Sequence, residues 1–214
     1  SKLLELFKKF TPNCSGEWGQ LKGVDNYKDA DYFAVIDYLP NNVRNEINES
    51  KCIFLSAHPY GMQAYRDMSN YKGLKMFDER HSYGFGEWWL KYDYDYLKKL
   101  QPMDKPKTLG CIMSNANSQS YHKARLEWLD KFTQKDNLDF DLHGRIEPYT
   151  EGMKKYYRGV CGSYDPRGAA SSEGNDHMSG KEEIYETHKY MIEFDAYSDG
   201  HYFSERVYDC LLLW

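Results

Sequence analysis

A series of short apolar runs, each closing on polar residues, constrains this chain more than anything else in it. They are YFAVI at 32–36, CIFLS at 52–56, TLGCIMS at 108–114 and LDFDL at 138–142, with a strand-like KYMIEF at 189–194. The first three are continuous rather than alternating, the pattern of strands covered on both faces in a parallel sheet. Helical spacing appears around them. Residues 2–10, KLLELFKKF, put Leu3, Leu6, Phe7 and Phe10 on one face. Residues 121–132 form a helix whose apolar surface comes from Tyr121, Ala124, Leu126, Trp128, Leu129 and Phe132, and residues 181–188 read as a short helix. Strands alternating with helices predict an α/β fold with a mostly parallel, Rossmann-like sheet and flanking helices. The pattern predicts 32–36, 52–56 and 108–114 as neighbouring parallel strands, with LKMF at 74–77 as a further strand.

In open α/β sheets, ligands sit at the carboxyl ends of the strands. Asp37 closes the first run, and Ala57-His58-Pro59-Tyr60-Gly61 follows the second. His58 is either a loop histidine bonded to backbone or a group placed to move protons near neutral pH. Asn115 opens the polar loop after the third run. Arg125 lies in the helix beyond, as a solvated charge or as an anion ligand. The last stretch, 188–214, runs from a strand through the turn Ser198-Asp199-Gly200 into Tyr202-Phe203-Ser204-Glu205-Arg206. Phe203, Val207, Cys210, Leu211 and Trp214 then follow at helical spacing. Ser204 suits a helix N-cap and Glu205 its first turn. A capped helix start presents free amides to an anion, and Arg206 would add a guanidinium. The same pattern also describes an ordinary strand–turn–helix with surface charges.

A length of 214 residues holds one large domain or two small ones. The formal net charge of −5 argues against a general nucleic-acid surface. The 20 tyrosines and 5 tryptophans suit sugar rings and core packing alike. The 5 cysteines are scattered, and no CxxC or Cys/His spacing points to zinc. Three lie in apolar runs, as buried thiols of a reducing compartment do. No stretch approaches the roughly 20 apolar residues of a membrane span, and no signal peptide is visible. The expected location is cytoplasmic, or that of a soluble fragment of a longer protein. Asp93-Tyr94-Asp95 and Asp139-Phe140-Asp141 match D-x-D, one at a helix start and one inside a strand. Two carboxylates do not hold Mg²⁺ or Mn²⁺ without a diphosphate beside them, so no metal site is predicted from either. GSYDPRGAASSEGNDHMSG at 162–180 has almost no aliphatic residue and reads as part of a loop or linker over 159–180.

The terminal stretch resembles the donor-binding motif of the α-1,3-fucosyltransferases, glycosyltransferase family 10. That motif reads roughly Y-K-F-x-x-x-F-E-N, a short glycine-containing loop, Y-x-T-E-K, then x-x-D-A. His188-Lys189-Tyr190 matches the opening and Phe194-Asp195-Ala196 falls on F-E-N. Tyr202-Phe203-Ser204-Glu205-Arg206 falls on Y-x-T-E-K and Asp209 on the trailing aspartate. A second family segment, apolar strand, S-N, polar loop and helix with Arg, matches Ser114-Asn115 and Arg125. His143-Gly144-Arg145 is similar to the G-R that follows a later strand. Ala196 departs from the family's Asn, and His58-Pro59 stands where the family carries a glutamate before proline.

The resemblance implies a two-domain, GT-B-like architecture, in whole or in part. Residues 1–158 would form a Rossmann-like acceptor-side domain and 159–180 a linker. Residues 181–214 would begin a donor-binding domain, cut short because the family continues past this point. The reaction it implies is inverting transfer of a deoxysugar, such as fucose from GDP-fucose, to a glycan hydroxyl. His58 would be the base that deprotonates the acceptor. Arg125 and Arg206 would hold the diphosphate, with Asn115, Lys189, Asp195, Tyr202, Ser204 and Glu205 completing the donor site. The expected partners are the nucleotide-sugar and a glycan acceptor, with further domains if the chain is truncated. No cofactor is required, and a divalent metal is not predicted. Two other functions remain open at this point: an inactive carbohydrate-binding domain of a larger protein, and a metal-dependent single-domain (GT-A) transferase.

Overall fold

A computed structural model of the chain describes residues 2–55, 70–75, 88–118, 120–145, 150–161, 180–195 and 204–213. In chain order these form helix α1 (Lys2–Lys9), the short strands β1 (Glu17–Trp18) and β2 (Leu21–Lys22), strand β3 (Phe33–Ile36) and helix α2 (Asn41–Arg44). Strands β4 (Cys52–Leu55) and β5 (Leu74–Lys75), helix α3 (Tyr94–Lys99), strand β6 (Lys107–Ile112) and helix α4 (Ser120–Thr133) follow. The remainder is strand β7 (Phe140–His143), helix α5 (Glu151–Tyr156), strand β8 (Tyr157–Gly159), helix α6 (Lys181–Thr187), strand β9 (His188–Ile192) and helix α7 (Glu205–Leu212). No helix among the described residues is long and apolar enough to cross a membrane.

The backbone separates into two compact units. One comprises Ser1–Lys22, Trp88–Ala196 and Arg206–Trp214; the other comprises Gly23–Glu87 and Tyr197–Glu205. The second unit carries a parallel sheet in the order β3-β4-β5, with Phe33 opposite Cys52 and Ile53 opposite Leu74. Val35, Leu39, Cys52 and Phe54 are its buried core. Beside that core the Arg44 guanidinium lies 4.6 Å from the centre of the Tyr71 ring and pairs with Glu49.

The first unit carries a parallel sheet in the order β8-β7-β6-β9. Its strands read as the sequence requires of a covered sheet. On β7, Phe140 and Leu142 are buried among Cys111, Leu126, Leu129 and Met153, while Asp141 and His143 take the opposite face. Leu129 and Leu142 are fully buried, each worth about 1.5–3 kcal/mol relative to exposure. The pairing of β6 with β7 continues beyond the strand ends, because Asn115 donates its backbone N–H to the Arg145 carbonyl at 2.9 Å. Gly144 makes that approach feasible. Its φ is +116°, and a Cβ there would sit 2.1 Å from the Met113 carbonyl oxygen.

The expected α/β class with parallel strands is present, but the three apolar runs are not neighbours in one sheet. Phe33–Ile36 and Cys52–Leu55 do pair in parallel, whereas Lys107–Ile112 pairs with Phe140–His143 and His188–Ile192. Residues 181–195 return to the sheet of β6 and share its unit. Residues 162–179, within the expected linker, lie outside the described residues. Helix α5 and strand β8 had no sequence expectation. Thr150 caps α5 by accepting from the Met153 N–H at 3.2 Å, and the helix buries Met153 and Tyr156.

Candidate functional site

Strands β6 and β9 are adjacent and parallel, so the segments leaving their carboxyl ends share one edge of the first unit's sheet. Ser114 follows β6 and Glu193 follows β9. Helix α4, which succeeds β6, carries Arg125, and α7 carries Arg206. Arg125 is 5% exposed, although it is a permanent cation. Its Nη2 donates to the Ser114 carbonyl at 3.3 Å and to the Ser114 Oγ at 3.1 Å. Its Nε is buried without a hydrogen-bond partner, and no carboxylate pairs with it among the described residues. Burial first, then the charge of Arg206, pushes its pKa below the usual value. His122 is pushed down by burial and by both arginines. A concentration of positive charge therefore builds up around α4, with the buried member uncompensated.

Glu193 faces this cluster. Its Oε2 is 3.8 Å from Arg206 Nη1, and its Oε1 accepts from the Tyr185 hydroxyl at 2.9 Å and from the Cys210 thiol at 3.6 Å. Burial lifts its carboxyl to about 7, and the Arg206 charge only partly opposes that rise. A buried carboxyl lifted to about 7 beside an arginine is a candidate proton carrier. The only sequence sign of it is a charge directly after an apolar run.

The donor residues expected from sequence do not all fall together. Asn115, Arg125, Lys189, Asp195 and Arg206 belong to the first unit; Ser204 and Glu205 belong to the second. The charge of Arg206 helps to lower the pKa of Arg125. Asn115 is exposed and joins the site region through its backbone bond to Arg145. Lys189 is exposed on β9, and Asp195 is half-buried. Ser204 is buried immediately before α7. His58 and Tyr202 lie outside the described residues. Asp209, on the motif's trailing aspartate, is fully buried. It pairs with Lys181 and accepts from the Trp89 N–H at 2.8 Å, a fastening between α6, α7 and the 88–90 segment.

Both D-x-D triplets have structural work. Asp93 caps α3 by accepting from the Tyr96 N–H at 2.8 Å, and Asp95 accepts from the Asn13 N–H. Asp141 is the centre of a second cluster, on the face of β7 away from the apolar core. Lys107 Nζ lies 2.8 Å and His188 Nε2 3.2 Å from its Oδ2, and Arg158 Nε lies 2.6 Å from its Oδ1. Burial opposes the charge on Asp141. The hydrogen bonds from Lys107 and Arg158, together with the contact to His188, outweigh burial and hold its pKa below the usual carboxylate value. The His143 ring stands edge-on to His188, with centroids 5.8 Å apart, and burial pushes its pKa down to about 4. In the sequence Asp141 closes a D-x-D triplet from which no metal site is predicted, and His188 opens the terminal motif. Neither pattern joins residues 47 apart in the chain.

No known protein family, curated protein or solved structure matches this chain.

Proposed function

We propose that the first unit binds the diphosphate of a nucleotide-sugar through Arg125 and Arg206, and that the chain acts as a glycosyltransferase resembling the fucosyltransferases. The observation that carries this reading is the buried Arg125 guanidinium, without a carboxylate among the described residues and within the field of a second arginine. Keeping such a charge dry costs several kcal/mol unless a partner of opposite sign arrives. A diphosphate is a partner of suitable charge and shape, because its oxygens accept the forked guanidinium donors in pairs. Its place at the carboxyl ends of β6 and β9 is where open α/β sheets receive nucleotides.

In the reaction, the two guanidiniums neutralise charge developing on the departing diphosphate. His58 deprotonates the acceptor hydroxyl, by its position relative to Pro59 in the resemblance. Glu193, half-charged near neutrality, sets how strongly Arg206 is engaged before the donor arrives. Sugar transfer rests on the resemblance, whereas diphosphate binding rests on the two arginines. Calorimetry with GDP tests the binding. Arg125→Ala should weaken it by about 1.5–3 kcal/mol, the range for hydrogen bonds to charged groups. Unchanged affinity in Arg125→Ala and Arg206→Ala alike would discard the site.

A further inference from the structure

We propose that Asp141, His143 and His188 form a binding site for a divalent transition metal of the Zn²⁺ class. These residues are separate from those of the diphosphate site. One ligand atom from each lies within 4.8 Å of the others. His188 Nδ1 is 2.8 Å from the Ile184 carbonyl and 3.1 Å from the Thr187 hydroxyl. A carbonyl only accepts, so Nδ1 carries the proton, and in the neutral ring Nε2 presents its lone pair to Asp141 Oδ2 at 3.2 Å. Two electron-rich atoms then face each other. Two ligands with bonds of 2.0–2.1 Å to one tetrahedral metal sit about 3.3 Å apart, so this spacing suits a shared cation. An Nδ1–H bonded to backbone with Nε2 on the metal is also how ligating histidines are usually oriented.

The third ligand supplies the independent sign. His143 Nε2 is buried and has no hydrogen-bond partner among the described residues. The ion pairs of Lys107 and Arg158 account for Asp141 but leave this nitrogen unexplained. Gly110 on β6 opens the space between the two histidine-bearing strands. A Cβ there would sit 3.0 Å from His188 Cγ and 2.9 Å from Met191 Sδ. Two imidazoles and one carboxylate select Zn²⁺, Co²⁺ or Ni²⁺ over Mg²⁺ and Ca²⁺, which take oxygen ligands.

Lys107 is the competitor. Its ammonium occupies Oδ2, but its side chain is 47% exposed and can turn into water. Arg158 can remain on Oδ1 as the carboxylate's outer partner. Metal binding would then exchange the Lys107 contact for the ion and clamp β7 to β9 across β6.

The test is titration of the full chain with Co²⁺, followed by visible absorption and by displacement with Zn²⁺. Wild type should take up a single saturable Co²⁺ with the strong absorption of a low-coordinate site. His143→Gln should weaken that binding at least tenfold. Lys107→Met, at a half-exposed position, should strengthen it by removing the competing cation. Absence of saturable binding in both wild type and Lys107→Met would overturn the proposal. So would Co²⁺ binding that is unaltered in His143→Gln, because the ion would then sit elsewhere.

Discussion

Replacing Glu193 with Gln tests the electrostatics of the cationic edge without changing its shape. The Glu193 side chain is 12% exposed, and burial raises its carboxyl from 4.5 to about 7. The folded chain therefore keeps a proton that the unfolded chain releases. Stability from this group is fully present below pH 4.5 and is lost as pH rises through 7. That displacement is worth about 3 kcal/mol, at about 1.4 kcal/mol for each tenfold change. Gln has the same size and does not titrate, so the variant escapes the loss. Urea denaturation at several pH values should show the stability of Glu193→Gln gaining on wild type by about 3 kcal/mol between about pH 4.5 and 8. His143 and the other groups titrate in both proteins and cancel in the comparison. A gap that stays flat across this range would show that Glu193 ionises as a solvated carboxylate does, and the account of a proton carrier beside Arg206 would fail. The same variant also lacks one negative charge beside Arg206, so it should bind GDP more tightly than wild type at about pH 8.

The remaining predictions concern packing and turnover. Asp209→Asn leaves Lys181, 7% exposed, without its charge partner and should cost about 3–5 kcal/mol in thermal or urea denaturation; a loss under about 1 kcal/mol would mean Lys181 reaches water. Gly110→Ala should cost about 1–3 kcal/mol, because the new methyl meets His188 and Met191 at 3.0 and 2.9 Å. A fully stable Gly110→Ala protein would show that the His188 ring is not confined over β6. His58→Gln should lower sugar transfer roughly 10²-fold while GDP affinity holds, and an undiminished rate would remove His58 as the base.

The strands were legible because continuous apolar runs such as CIFLS at 52–56 and TLGCIMS at 108–114 have few other stable uses in a chain this polar. Their partners were not. Lys107–Ile112 looks as able to join Phe33–Ile36 as Phe140–His143, and the choice is made by crossovers and core packing that no local pattern encodes. Helix α5 has no clear sequence signature, because EGMKKY offers only Met153 and Tyr156 to the core. Arg125 enters through the resemblance, which sets it after Ser114-Asn115, and the Ser114–Arg125 hydrogen bonds join two residues of that segment. Glu193 was not readable, because its character comes from Tyr185, Cys210 and Arg206 closing around it. The Asp141, His143 and His188 cluster depends on β7 and β9 flanking the same strand, which only the sheet order reveals.

The central claim is that two arginines wait for a diphosphate, and its most direct measurement compares GDP with guanosine on the same preparation by calorimetry. If Arg125 and Arg206 are the anchor, GDP binds and guanosine does so at least tenfold more weakly, a difference of about 1.4 kcal/mol or more. That difference should disappear in the Arg125→Ala, Arg206→Ala double variant. Equal affinity for GDP and guanosine, or a preference for GDP that survives the loss of both arginines, would contradict the account.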